Sequence, residues 1–136
     1  EIRVEHMGFT YPGNDPALRK LTFSIKKGEL LGIIGPSGSG KTTLINLLLR
    51  LLTPTSGALL VDGVDSRTIP LETWKEHVGY VPQDLFLLNG TITENVRFFD
   101  PAVSPTDVTD AIELAQWLDD WYRIPTEWGL AMKVMG

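Results

Sequence analysis

Gly35-Pro36-Ser37-Gly38-Ser39-Gly40-Lys41-Thr42 is the stretch of this chain most suited to chemistry. It follows the pattern G-x-x-x-x-G-K-[ST], a phosphate-binding loop. Its glycines let consecutive backbone N–H groups turn inward around an anion. A helix starting at the loop adds the partial positive charge of its N-terminus. On this pattern Lys41 bridges the β- and γ-phosphates of a nucleotide and the Thr42 hydroxyl ligates Mg²⁺. Ser39 and Thr43 supply further phosphate contacts. Average composition gives odds of roughly 0.5% for a chance match in a chain of this length. Two other glycine-based sites fail on the same residues. A dinucleotide fingerprint needs a glycine where Thr43 stands, and a nucleophile elbow needs one where Ser39 stands.

Such a loop works only between a strand and a helix, and both are expected here. Leu30–Ile34 (LLGII) is an apolar run between Gly28 and Gly35, as in a strand buried on both faces. Thr42–Leu51 is Leu-rich and ends before Thr53-Pro54, which predicts a helix. Upstream, Ile2 and Val4, and then Leu21, Phe23 and Ile25, alternate with polar residues as two half-buried strands around Pro12, Gly13, Asn14 and Pro16. Downstream, Ala58–Val61 reads as a strand closed by an Asp62-Gly63 turn, and Val78–Val81 as another. Past Pro82 the pattern becomes helical. Ser104 is an N-cap with Pro105 at the first helical position, and Val108, Ala111, Ile112, Ala115 and Leu118 follow at helical spacing as core, with Trp117 and Trp121 beside them. Residues around Trp128-Gly129 read as a loop with no terminating element.

Composition narrows the class. The chain has no Cys, which excludes a disulfide scaffold, a thiolate metal site and a Cys nucleophile. Its longest apolar stretch, Leu44–Leu52, is broken by Asn46 and Arg50 and falls short of the about 20 residues of a membrane span. The N-terminal Glu-Ile-Arg-Val-Glu is not a signal peptide and reads as the interior of a longer chain. Residues 1–52 carry 7 Lys and Arg against 4 acids, whereas residues 84–136 carry 3 against 9. The excess of base therefore coincides with the loop, and the acidic total of −5 argues against non-specific nucleic-acid binding. His6 and His77 lack a ligand pattern and read as structural.

Three further segments accompany the loop: Met7-Gly8-Phe9-Thr10-Tyr11, then Thr55-Ser56-Gly57-Ala58-Leu59-Leu60-Val61-Asp62-Gly63, then Val81-Pro82-Gln83-Asp84 leading into Leu85-Phe86-Leu87-Leu88-Asn89-Gly90-Thr91-Ile92 and Glu94-Asn95. With these the chain resembles, along essentially its whole length, the nucleotide-binding domain of an ATP-binding cassette (ABC) transporter of exporter type. The resemblance implies an α/β P-loop fold with an antiparallel β subdomain, part of the parallel core and part of the helical subdomain. The division falls at 1–82 and 83–136. It implies ATP and Mg²⁺ as cofactors, with Tyr11 stacking on adenine. Gln83 reaches Mg²⁺ and the attacking water and so takes part in catalysis. Residues Asp84–Val96 touch transmembrane coupling helices, either through an apolar patch of Phe86, Leu87 and Leu88 or with those residues packed internally. Its partners are a second nucleotide-binding domain, head to tail, and a transmembrane domain. The parent protein is then an ATP hydrolase that drives transport from the cytoplasmic face of a membrane, and no nucleic-acid partner is implied.

The family's second acidic motif, an apolar strand ending in Asp-Glu, is absent. Leu59-Leu60-Val61-Asp62 is followed by Gly63 and matches an antiparallel strand instead. The Leu-Ser-Gly-Gly-Gln signature is also absent, and neither His6 nor His77 stands where the switch histidine would. The chain is therefore expected to be a cassette cut before its signature, able to bind ATP weakly but not to hydrolyse it. It is also expected to be marginal or aggregation-prone, with one edge of LLGII unpaired. Two alternatives come from other classes: a soluble ABC-type ATPase acting on DNA or ribosomes, and a nucleotide-binding module that does not hydrolyse.

Overall fold

The computed structural model describes residues 1–84, 86–98, 100–121 and 131–133, with side chains up to residue 115. Two compact units divide the chain: Glu1–Gly79 with Thr126–Gly136, and Tyr80–Pro125.

In the first unit a four-stranded antiparallel sheet has the order β2-β1-β4-β5, with β1 at Ile2–Thr10, β2 at Pro16–Ile25, β4 at Ser56–Val61 and β5 at Val64–Asp65. The β4–β5 hairpin turns through Asp62 and Gly63, both at positive φ (48° and 83°), as a two-residue Asp-Gly turn requires. Helix α1, Lys41–Leu48, lays Leu44, Leu47 and Leu48 onto Val4, Met7, Phe9 and Leu59 of the sheet. Trp74, from a six-residue helix α2 at Leu71–Glu76, completes this core.

Strict alternation cannot bury both Val4 and Met7, because they are three positions apart. A bulge resolves the conflict. His6 takes a φ of 47°, and the pairing of β1 with β2 and with β4 shifts register just there. Gly57 makes the bulge possible. A Cβ on it would overlap the Glu5 carbonyl oxygen and lie 2.5 Å from the His6 carbonyl carbon. A second irregularity at Lys20 (φ 48°) lets β2 follow β1 toward Tyr11.

Strand β3, Leu30–Gly32, is shorter and more open than the apolar run suggests. It pairs antiparallel with β6, Ala131–Lys133, and Ile34 beyond it is 75% exposed. The expectation of a strand buried on both faces is corrected for these residues: among the described residues its sole ladder partner is β6, and pairing there is antiparallel throughout. The expected loop end is likewise corrected at β6, while Trp128-Gly129 lies outside the described residues. Val78–Val81 is not a strand, since it pairs with nothing described and Val81 is exposed.

The second unit holds α3, Ile92–Arg97, and α4, Pro105–Trp121. Ser104 caps α4 as its sequence predicts. The Asp107 N–H donates to the Ser104 hydroxyl at 3.1 Å, and the Ser104 N–H donates to the Asp107 carboxylate at 2.8 Å. These bonds hold the Asp107 carboxyl below its usual range, the Ser104 side chain being the larger cause. Val108 is buried, but Ala111 and Ala115 are exposed and Ile112 is half-buried, so the expected core stripe reduces to one residue there. The side chains of Trp117, Leu118 and Trp121 lie outside the described residues.

Candidate functional site

The loop between β3 and α1 leads into a helix N-terminus that no side chain among the described residues caps. Gly40 caps α1 at φ 89°, with no side-chain cap bond, and no acid stands in the first turn. The first N–H groups of α1 are thus left for a ligand. The position admits only glycine on two counts. A side chain at that φ is strained, and a Cβ would lie 2.8 Å from both the Ala17 carbonyl oxygen and Leu18 Cδ2. The Ser39 N–H donates to the Pro36 carbonyl at 3.2 Å, closing the turn through Ser37 and Gly38. Lys41 Nζ reaches back and donates to the carbonyls of Gly35 (2.7 Å) and Pro36 (2.9 Å). Its ammonium therefore already lies against the loop's own backbone. Thr42, exposed at the head of α1, has no hydrogen bond from its hydroxyl among the described residues.

Tyr11 follows β1 and comes to the same place. Its ring stands edge-on to Phe9, with centroids 4.8 Å apart and planes at 86°. Its hydroxyl lies 3.2 Å from the Thr43 hydroxyl, and either can donate. Thr43 is 6% exposed, so its side chain faces Tyr11 from within α1. The first unit thus brings Gly35–Gly40, Lys41, Thr42, Thr43 and Tyr11 into one neighbourhood. The Tyr11–Thr43 link is invisible in the sequence, where the two residues are 32 positions apart.

Gln83 stands exposed in the second unit, ahead of a loop held from within. Asn95 of α3 carries that loop. Its Oδ1 accepts from the Leu88 N–H at 2.7 Å, and its Nδ2 donates to the carbonyls of Leu88 (3.1 Å) and Thr91 (2.9 Å). Thr91 and Glu94 form a capping box. The Glu94 N–H donates to the Thr91 hydroxyl at 3.2 Å, and the Thr91 N–H donates to the Glu94 carboxylate at 2.6 Å. That backbone bond, and then the Thr91 hydroxyl, hold the Glu94 carboxyl below its usual range. The Thr-x-x-Glu spacing is the sequence signal of this box. With the loop held this way, Phe86 and Leu87 are 74% and 76% exposed, whereas Leu88 is half-buried. Leu85 lies outside the described residues.

Asp62 sits in the β4–β5 turn, away from any Asp-Glu pair. The neighbouring acid, Asp65, is engaged by Arg67, whose guanidinium and then backbone N–H lower its carboxyl to about 2. His6 Nδ1 lies 3.4 Å from the Thr22 hydroxyl, between β1 and β2, and His77 Nδ1 lies 2.8 Å from the Thr73 carbonyl one helical turn back. Among the described residues no group of three His, Cys, Asp or Glu side chains could hold a metal ion.

This arrangement has many relatives. The iron-sulfur clusters transporter ATM1, mitochondrial, of Kluyveromyces lactis is 40% identical over 125 residues, 92% of this chain and 17% of that protein. ABC transporter B family member 29, chloroplastic, of Arabidopsis thaliana is 46% identical over 101 residues, 74% of this chain and 16% of that protein. The fatty acid ABC transporter ATP-binding/permease protein of Mycobacterium tuberculosis is 36% identical over 114 residues, 84% of this chain and 18% of that protein. This chain thus spans less than a quarter of the length of these relatives. Among solved structures, a bacterial Atm1-family ABC exporter with ATP bound superposes with a TM-score of 0.78 at 30% identity, covering 98% of this chain and 23% of that one. The sequence profile of the ABC transporter family matches residues 18–132, from β2 through the phosphate loop to β6. A phosphate loop, a cassette fold and a profile that spans most of the sequence converge: the chain belongs to the ABC transporter family, and its fold is that of the exporter-type nucleotide-binding domain.

Proposed function

We propose that this chain binds MgATP through its first unit, as the phosphate-binding half of a site that belongs to a longer exporter. The observation that carries the reading is the loop itself: an uncapped helix N-terminus, a glycine that cannot be replaced, and a lysine folded over the loop backbone. Lys41 would exchange its two carbonyl acceptors for β- and γ-phosphate oxygens. The backbone N–H groups of Gly38, Gly40 and the first turn of α1, with Pro36 and Ser37 shaping the turn and Ser39 adding its hydroxyl, would surround the phosphates. The exposed hydroxyl of Thr42, without a hydrogen bond among the described residues, suits Mg²⁺, a hard cation that prefers oxygen. The metal would supply charge neutralisation between the phosphates. Tyr11 would receive the adenine ring.

In the parent protein this chemistry would couple ATP binding and hydrolysis to transport. A second cassette would meet the first head to tail, and the exposed Phe86 and Leu87 would face coupling helices at the cytoplasmic side of a membrane. The chain contains neither the Asp-Glu pair nor the Leu-Ser-Gly-Gly-Gln signature, so by itself it would bind ATP without appreciable hydrolysis. Calorimetric titration with MgATP tests the reading. Lys41→Ala removes a charge-assisted bond of about 1.5–3 kcal/mol, which weakens binding roughly 10- to 150-fold. Equal affinity in the two proteins would refute the assignment of Lys41.

A further inference from the structure

Tyr11 is restrained from three sides, and one restraint comes from the phosphate loop's own helix. Its backbone carbonyl accepts from the Asn14 N–H at 3.1 Å, its ring abuts Phe9 edge-on at 4.8 Å, and its hydroxyl meets the Thr43 hydroxyl at 3.2 Å. Thr43 is the third residue of α1, beside Lys41 and Thr42, and its hydroxyl has no other partner among the described residues. A buried hydroxyl that turns toward an aromatic ring orients that ring, and does so from the element that holds the phosphates.

We propose that Thr43 is a positioning residue for the base: its hydrogen bond to Tyr11 fixes the aromatic platform relative to the phosphate loop, so that base and phosphates are recognised as one unit. The proposal rests on the nucleotide reading above and gives Thr43 a role at the base beside the phosphate contact expected of it. A platform fixed in advance loses less freedom when the base arrives, so the bond raises affinity for a nucleotide over a base-free polyphosphate. Stacking alone keeps its face in phenylalanine, whereas the positioning does not.

The test titrates the chain, Tyr11→Phe, Thr43→Val, Thr43→Ser and the Tyr11→Phe/Thr43→Val double variant with MgATP and with magnesium triphosphate. Circular dichroism confirms that each variant is folded. The ratio of ATP to triphosphate affinity should fall about 3- to 10-fold in Tyr11→Phe and in Thr43→Val, the loss expected for one partly buried hydrogen bond. The double variant should lose no more than either single one, and Thr43→Ser should retain the parent ratio. Losses that add in the double variant overturn the proposal. So does a Thr43→Val variant that weakens both ligands equally, since the loss would then contain nothing specific to the base. If Thr43→Val does not fold, Tyr11→Phe decides: a reduced ratio supports the strut and an unchanged one overturns it. Triphosphate binding with no preference for ATP in the parent overturns this inference alone, whereas a parent that binds neither ligand overturns the nucleotide reading as well.

Discussion

Gly57→Ala probes whether the bulge in β1 truly depends on a missing side chain. Gly57 has a φ of 74°, and Gly63 in the neighbouring hairpin has a φ of 83°. In both positions a left-handed alanine costs about 1–2 kcal/mol, offset in part by about 0.4–1 kcal/mol from the stiffer unfolded chain. Space separates the two sites. Nothing lies within 4 Å of a Cβ at Gly63, whereas at Gly57 it would overlap the Glu5 carbonyl and lie 2.5 Å from the His6 carbonyl carbon. Those atoms are backbone and cannot swing aside. Overpacking against an unyielding neighbour adds about 1–3 kcal/mol. Gly57→Ala should therefore be less stable than Gly63→Ala by about 1–3 kcal/mol, read from urea unfolding followed by circular dichroism. Midpoints that coincide for the two variants would show that β4 does not clamp the bulge, and the account of how β1 reaches Tyr11 would fail with them.

Three further outcomes are expected. Trp74, buried against α1 and the sheet with the Arg50 guanidinium 5.5 Å from its ring centroid, anchors α2; Trp74→Ala should cost about 3–5 kcal/mol in a thermal or urea melt. A loss under about 1 kcal/mol would remove α2 from the core. Asn95→Ala deletes the bonds that hold Leu88 and Thr91, so amide exchange at Leu88 should accelerate while that of the sheet stays as before. Unchanged exchange at Leu88 would contradict the clamp. The third concerns pH. Arg67 holds the Asp65 carboxyl at about 2 against an ordinary 3.8, so the ion pair stabilises the fold above the ordinary value and that contribution disappears as pH falls from there toward 2. The gap in urea midpoint between the parent chain and Arg67→Gln should thus be widest at neutral pH and close on acidification. A gap that widens in acid reverses the assigned sign.

The phosphate loop was legible because its requirements are local. Gly40, Lys41 and Thr42 stand in consecutive positions, and Lys41 bonds residues five and six positions back. The Asp62-Gly63 turn and the Ser104 cap were legible for the same reason, since the side chain and its backbone partner are neighbours. Properties set by a distant partner were not. Leu30–Ile34 reads as doubly buried from its apolarity, yet burial depends on what packs against it, and Ile34 is largely exposed. Val78–Val81 has strand composition without a ladder partner. Helix α2 escaped because six residues carry too little periodicity, and its one buried residue, Trp74, gives no stripe.

The bulge at His6 joins these two classes. Nothing in Val4-Glu5-His6-Met7 announces it, and alternation read along β1 alone would turn Met7 and Phe9 away from the side that buries Val4. The constraint lies in Gly57, far along the chain from His6, which admits the bulged backbone. The consequence falls on Tyr11, which the corrected register carries to Thr43. The two halves of the candidate site therefore have different origins. The loop is written in eight consecutive residues, while the place of Tyr11 beside Thr43 exists only after three strands have paired with their irregularities in place. Damage to the sheet should accordingly reach Tyr11 before it reaches the loop, because Lys41 holds the loop to itself through bonds that no strand supplies.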